Sequence, residues 1–269
     1  MTDVREDPAA TATSRSDTHG KLVWYELLTP DTDGAKAFYD AVVGWDIGEP
    51  APEFDGYRMI GSEGGFAGGV NPHDHFPGPR WMGYIAVDDV DSAVTSIEKG
   101  GGRLLKEAWD IPNVGRVAMA ADPQGAPFYV IKPSPPAGQE NAPNDVFSPD
   151  KPGRCAWNEL STSDPVAARR FYGEQFDWES GDFMDMGEHG EYRFFDHRGV
   201  RLGAVAGTMD GQPPHWRHYF RVPSIAKAKE TAEANGGKIA MGPMEVPGGD
   251  HIIIGFDPQG AEFALVGGK

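Results

Sequence analysis

Glu26 and Glu159 stand at the same place in two nearly identical stretches, Trp24-Tyr25-Glu26-Leu27 and Trp157-Asn158-Glu159-Leu160. In an extended chain residues two apart share a face, so each carboxylate lies beside an indole, Trp24 or Trp157. Burial against an indole disfavours the charged carboxylate and raises its pKa, which would suit either Glu to general acid or base work. Each could equally cap a backbone group or pair with an arginine. Arg217, Tyr219 and Arg221 alternate in a second aromatic run. Paired guanidinium groups suit a carboxylate, a phosphate or an enolate, unless internal salt bridges to Glu159 and Glu262 consume them. His73-Asp74-His75 is ligand-like, but it lies in a Pro/Gly stretch without a counterpart later in the chain, which reads as a solvated loop. Met184-Asp185-Met186 reads as an adaptable lid or as an ordinary anchored loop. Cys155 has no activating base visible beside it and reads as a small apolar residue.

The elements that must aim these side chains are written twice. Trp24, Asp31, Phe38-Tyr39 and Trp45 recur at one constant offset as Trp157, Asp164, Phe171-Tyr172 and Trp178. Trp81, Tyr84, Gly101-Gly102 and Asp122-Pro123-Gln124-Gly125 recur at a second, slightly longer offset as Trp216, Tyr219, Gly236-Gly237 and Asp257-Pro258-Gln259-Gly260. A repeat of this length is a duplicated folding unit. In the first copy 21–28 reads as a strand, and Asp31 then precedes Ala35, Phe38, Val42 and Trp45, spaced along one helical face. Short strands are expected at 56–60, 66–70, 192–196 and 202–206. The second half of the unit opens with a strand at 81–87, followed by a helix capped by Asp89 and ended by Gly100-Gly101-Gly102. Ser224 and Asn235-Gly236 play the same parts in the other copy. The last two strands of the first copy are expected at 114–120 and 127–131, joined by the Asp-Pro-Gln-Gly turn.

The chain has 269 residues and divides into a disordered tail (1–20), a first module (21–132), a Pro-rich linker (133–153) and a second module (154–268). A net charge of −17 without any Lys/Arg cluster argues against nucleic acid or an anionic membrane as partner. No apolar run approaches the roughly 20 residues of a membrane span, and the polar first residues show no secretory signal. One cysteine excludes an intrachain disulfide. A cytoplasmic protein is expected.

The aromatic first strand, the Phe-Tyr helix and the late Asp-Pro-x-Gly hairpin, in this order, resemble the vicinal oxygen chelate superfamily of glyoxalases, bleomycin- and fosfomycin-resistance proteins and extradiol dioxygenases. The resemblance runs from 21 to 267 except for the linker, and the doubled chain is most similar to two-module glyoxalase-like proteins of actinobacteria. It implies an α+β fold of two tandem modules, each of paired βαβββ units curling into an open β-cup with helices outside. In metal-dependent members a cup holds two His and one Glu. Those three positions fall here on Trp24, Met82 and Tyr129 in the first module, and on Trp157, Arg217 and Ala264 in the second. None is a usual divalent-metal ligand, so no metal and no cofactor are expected.

On this reading cup one is lined by Trp24, Met82, Tyr84 and Tyr129, with Glu26 as a polar or catalytic group. Cup two is lined by Trp157, Arg217, Tyr219, Arg221 and Glu262, with Glu159. Alternation also assigns Leu22 and Leu28 to cup one and Cys155 to cup two. Trp81 and Trp216 should face the helices. The leading expectation is a metal-free protein that binds an aromatic, carbonyl- or carboxylate-bearing small molecule and sequesters it. The alternatives are a lyase, isomerase or hydroxylase-like enzyme with Glu159 as base and an arginine at the oxyanion, and a protein–protein module with filled cups. Pairing of the two modules within one chain points to a monomer.

Overall fold

Each helix starts where a short polar side chain can satisfy its first free amides. Asp31 accepts from Gly34, Asp89 from Ser92, Asp164 from Ala167 and Ser224 from Lys227. In the computed structural model, which describes residues 15–73, 78–135, 138, 144–208 and 211–269, these caps open four helices. They are α1 (Thr32–Val43), α2 (Val90–Lys99), α3 (Pro165–Phe176) and α4 (Ile225–Ala234).

The first module carries β1 (Leu22–Thr29), β2 (Asp46–Ile47), β3 (Arg58–Ser62), β4 (Gly65–Pro72), β5 (Arg80–Ala86), β6 (Arg103–Ile111), β7 (Gly115–Ala121) and β8 (Pro127–Pro133). The second carries β9 (Cys155–Thr162), β10 (Glu179–Asp185), β11 (Glu191–His197), β12 (Val200–Gly207), β13 (His215–Val222), β14 (Lys238–Glu245), β15 (His251–Phe256) and β16 (Glu262–Gly267). Both form open eight-stranded sheets of the same topology, β2-β3-β4-β1-β5-β8-β7-β6 and β10-β11-β12-β9-β13-β16-β15-β14. None of the four edge strands, β2, β6, β10 and β14, was expected from the sequence, and the long ones of the second halves, β6 and β14, show why. Their residues are mostly exposed, so they carry no apolar alternation to read.

One face of each sheet is packed against the other module. A single apolar core runs through Tyr25, Trp81 and Phe128 of the first module and Leu160, Phe220 and Phe263 of the second. The repeated motifs are what lock it. Trp81 donates to Tyr39 on α1, and Tyr39 donates in turn to Asp257 in the turn of the other module, at 3.1 Å in each step. Reciprocally, Trp216 donates to Tyr172 on α3 at 2.9 Å and Tyr172 to Asp122 at 3.2 Å. Asp122 also accepts from the amides of Gln124, Gly125 and Ala126, which closes its own turn. The Phe-Tyr and Asp-Pro-Gln-Gly signatures therefore join the two modules as well as shaping each one. Of the stretch 1–20, residues 15–20 are described: Arg15 pairs with Asp177, Asp17 with Arg198, and Gly20 accepts from the Trp178 indole.

Where the copies differ, they interlock. Gly83 and His218 are equivalent positions, and a Cβ at Gly83 would lie 3.0 Å from the His218 ring. The glycine thus makes room for the imidazole, which bonds Asn158 Oδ1 while Tyr25 donates to the same oxygen from across the interface.

Candidate functional site: two unequal cups

On the opposite face of each sheet, cross-strand register brings the residues expected in each cup together. In cup one Glu26 pairs with Met82, Trp24 with Tyr84, and Tyr84 with Tyr129. In cup two Glu159 pairs with Arg217, Trp157 with Tyr219, and Tyr219 with Ala264. Two assignments from alternation are corrected. Leu22 and Cys155 sit in the core between the modules, because register shifts at Leu22/Trp24 and Trp157/Cys155 break the two-residue period. Leu28 keeps its place in cup one, and Trp81 and Trp216 face the helices. Burial pushes the Cys155 thiol up to about 12, which leaves it inert.

Glu26 is 3 % exposed and, among the described residues, has no cation beside it. Asn71 Nδ2 donates to it at 3.2 Å and Tyr84 Oη at 3.0 Å, and the hydroxyls of Tyr57 and Tyr129 also hydrogen-bond it. Burial raises this carboxyl to about 7, and the four donors hold it from rising further. Tyr57 also accepts from Trp24 Nε1 at 2.7 Å. Its ring fits because position 69 is glycine: a Cβ there would stand 1.9 Å from the Tyr57 hydroxyl. Tyr129 stacks on Tyr84 with ring centroids 4.2 Å apart, and Trp109 on β6 meets Tyr129 edge-on. Cup one is therefore filled by its own aromatics.

Cup two repeats the indole–phenol–carboxylate chain. Trp157 Nε1 donates to Tyr192 Oη at 2.8 Å, and Tyr192 donates to Glu159 Oε2 at 2.8 Å. Tyr219 adds a bond to the same oxygen at 3.3 Å. Here, however, Arg217 takes the place of Met82. It donates to Glu159 Oε1 at 2.5 Å and holds both oxygens of Glu262, at 2.7 and 3.1 Å. It also meets His215 Nε2 at 3.2 Å and hydrogen-bonds Tyr219. Arg221 stands apart at the far end of the strand, bound to Asp250 and to the Pro149 carbonyl. The salt bridging left open above thus occurs for both arginines, with Asp250 as the partner of Arg221.

Cup two has the less covered floor. Ala264 replaces Tyr129, and Glu159 and Arg217 are half-buried where Glu26 and Met82 are buried. Trp157 and Tyr192 are half-buried like their counterparts Trp24 and Tyr57. Register sets Met184 beside Tyr192, Met244 beside Ile252 and Met241 beside Ile254, so methionines rim two sides. Met184 thus belongs to a strand of the sheet rather than to a loop. A surface cavity of about 310 Å³ near the start of α4, lined by Pro243, Glu245 and His251 among others, lies outside both cups.

Tyr57, Asn71, Tyr192 and Phe194 were not singled out from the sequence. Tyr57 and Tyr192 are separated by the same interval as Trp81 and Trp216, so the spacing of the repeat already carried that signal. Asp74 and His75 lie outside the described residues.

The donor set tests the fold's usual metal position. Trp24, Met82 and Tyr129 offer indole, thioether and phenol, and Trp157, Arg217 and Ala264 offer indole, guanidinium and methyl. These do not fit a divalent cation. Among the described residues no group of three or more His, Cys, Asp or Glu is placed to hold a metal, and no helix is long and apolar enough to cross a membrane.

Comparison with known proteins agrees with the geometry. Residues 21–130 and 153–265 match the model of the glyoxalase/bleomycin resistance protein/dioxygenase superfamily. CFP32 of Mycobacterium tuberculosis, which carries a provisional glyoxylase name, is 31% identical over 252 residues, covering 90% of this chain and 93% of CFP32. The anthracycline biosynthesis protein DnrV of Streptomyces peucetius is 28% identical over 263 residues, covering 92% and 93%. Among solved structures, the Mn(II)-bound glyoxalase of Novosphingobium aromaticivorans superimposes with a TM-score of 0.61 at 17% identity, over 93% of this chain and 82% of that one. Homoprotocatechuate 2,3-dioxygenase of Brevibacterium fuscum gives 0.65 at 18% identity, over 97% and 83%. These two likenesses concern the fold alone. With the family model matching both modules and the mycobacterial relative aligned almost end to end, the chain belongs to the glyoxalase/bleomycin resistance protein/dioxygenase superfamily.

Proposed function

We propose that this protein binds a flat aromatic small molecule in cup two, without a metal ion, and holds it rather than transforming it. The observation that carries this reading is the exchange of Tyr129 for Ala264 at equivalent positions. It removes the ring that fills cup one and leaves half-buried Trp157, Tyr192 and Phe194 around a polar floor in cup two. Aromatic walls with a few convergent polar groups are the usual make-up of a small-molecule site. The Streptomyces relatives are anthracycline biosynthesis proteins, and anthracyclines, planar fused-ring compounds, suit such walls. The test combines metal analysis of the purified protein with titration of tryptophan emission by planar aromatics. Saturable quenching that Ala264→Tyr abolishes is the expected result. Stoichiometric metal retained at either cup would overturn the reading.

Catalysis is a second reading, favoured by Glu26 rather than by Glu159. The Glu159 carboxylate is tied up by Arg217, whereas Glu26 is poised near neutral pH among phenol donors. Turnover of a small carbonyl compound that Glu26→Gln removes would support it; turnover unaffected by that change would exclude it.

A further inference from the structure

The floor of cup two selects the charge of its ligand. Arg217 is the cation that should attract an anion, but its hydrogens are already committed. Nη1 faces Glu159, Nε and Nη2 grip Glu262, Nη2 also meets His215 Nε2, and Tyr219 takes a further hydrogen bond from the guanidinium. His215 Nδ1 lies 2.9 Å from the Pro213 carbonyl, and its Nε2, beside Arg217, is 3.7 Å from Glu262 Oε1. Among the described residues, Arg221 pairs with Asp250, and Arg201, which lies over the Phe194 ring, pairs with Asp196 and has Asp182 nearby as well. At the floor two carboxylates therefore face one guanidinium. An incoming anion finds no free donor and an unbalanced negative charge; an incoming ammonium finds carboxylate lone pairs to take its hydrogens. Glu262 remains 27 % exposed at its side chain, so it can be reached from the mouth. In cup one Met82 and Pro127 occupy the positions of Arg217 and Glu262, so this balance belongs to cup two alone.

We propose that the ligand of cup two is a planar aromatic compound carrying a protonated amine, with the ring between Trp157, Tyr192 and Phe194 and the ammonium on Glu262. This rests on the binding reading above and names its ligand class.

Three matched probes test it: 1-pyrenemethylamine, 1-pyrenemethanol and 1-pyrenecarboxylate, titrated into the full chain at about 0.15 M salt to screen the overall negative charge. The amine is expected to bind about tenfold tighter than the alcohol, and the carboxylate weakest. In Glu262→Gln, with folding checked by its melting curve, the amine-to-alcohol ratio should fall toward one. Carboxylate binding as tight as amine binding, or a ratio unchanged in Glu262→Gln, would overturn the charge preference while leaving the site intact. Binding of all three that persists in Ala264→Tyr, or no binding at all, would overturn the site itself and this inference with it.

Discussion

Glu26 and Glu159 occupy equivalent positions in the two copies, each beneath a tryptophan that donates to a tyrosine. Their company differs in kind. Glu26 has hydrogen-bond donors and, among the described residues, no cation, so burial governs it and its carboxyl sits near 7. Glu159 has Arg217 at 2.5 Å, and Arg217 carries a second carboxylate, Glu262, as well. Three changes between the copies produce this: Met82 against Arg217, Pro127 against Glu262, and Tyr129 against Ala264. One backbone thus presents a buried titratable acid in one cup and a half-buried ion cluster in the other. A duplicated fold can divide its roles by side chains alone, because the strands that position them keep the same register.

The contrast can be broken most forcefully at Tyr129. Tyr129→Ala should open cup one as Ala264 opens cup two, at a cost of about 4 kcal/mol of stability. Denaturant unfolding checks the cost, and calorimetric titration with a planar aromatic should show a second site. If the stoichiometry stays at one, filling by Tyr129 is not what separates the cups.

Glu26→Gln should erase a pH dependence. The folded carboxyl titrates near 7, above its ordinary value of 4.5, so the folded state holds the proton more tightly than the unfolded chain. Stability from this group is greatest below pH 4.5, declines as pH rises through 7, and is level beyond. The separation corresponds to about 3 kcal/mol. Unfolding at acid and alkaline pH should show wild type losing about that much more than the variant. Parallel curves would mean that Glu26 stays ionised throughout.

Arg217→Met copies the cup-one residue into cup two and leaves Glu159 and Glu262 without their cation. Complete burial would make such a loss severe. With Glu262 27 % exposed, about 2 kcal/mol is expected, recovered in part by adding Glu159→Gln. A neutral single variant would show that the cluster is well solvated. The smallest effect is expected at Gly69. Gly69→Ala pushes against the Tyr57 hydroxyl and should cost about 1 kcal/mol, whereas Ala204, its counterpart, already stands in cup two. A larger loss would mean that the Tyr57 ring cannot shift.

The repeat, the helix caps and the Asp-Pro-Gln-Gly turns are local or periodic signals, and they were legible because spacing and hydrogen-bond chemistry within a few residues fix them. They were enough for the two tandem modules and the family. The exposed edge strands β6 and β14 were not legible, since a strand held by a neighbour's backbone needs no apolar pattern of its own. The fate of Leu22 and Cys155 was hidden for a related reason: one register shift turns a side chain to the other face, and only strand pairing reveals it. Sequence also put Glu26 and Glu159 at equivalent places on their strands, beside Met82 and Arg217. Tertiary structure alone decided that Glu26 has no cation among the described residues and that Arg217 is shared between two carboxylates. Such partnerships join residues far apart in the chain, and their outcome depends on distance and burial, which composition does not encode.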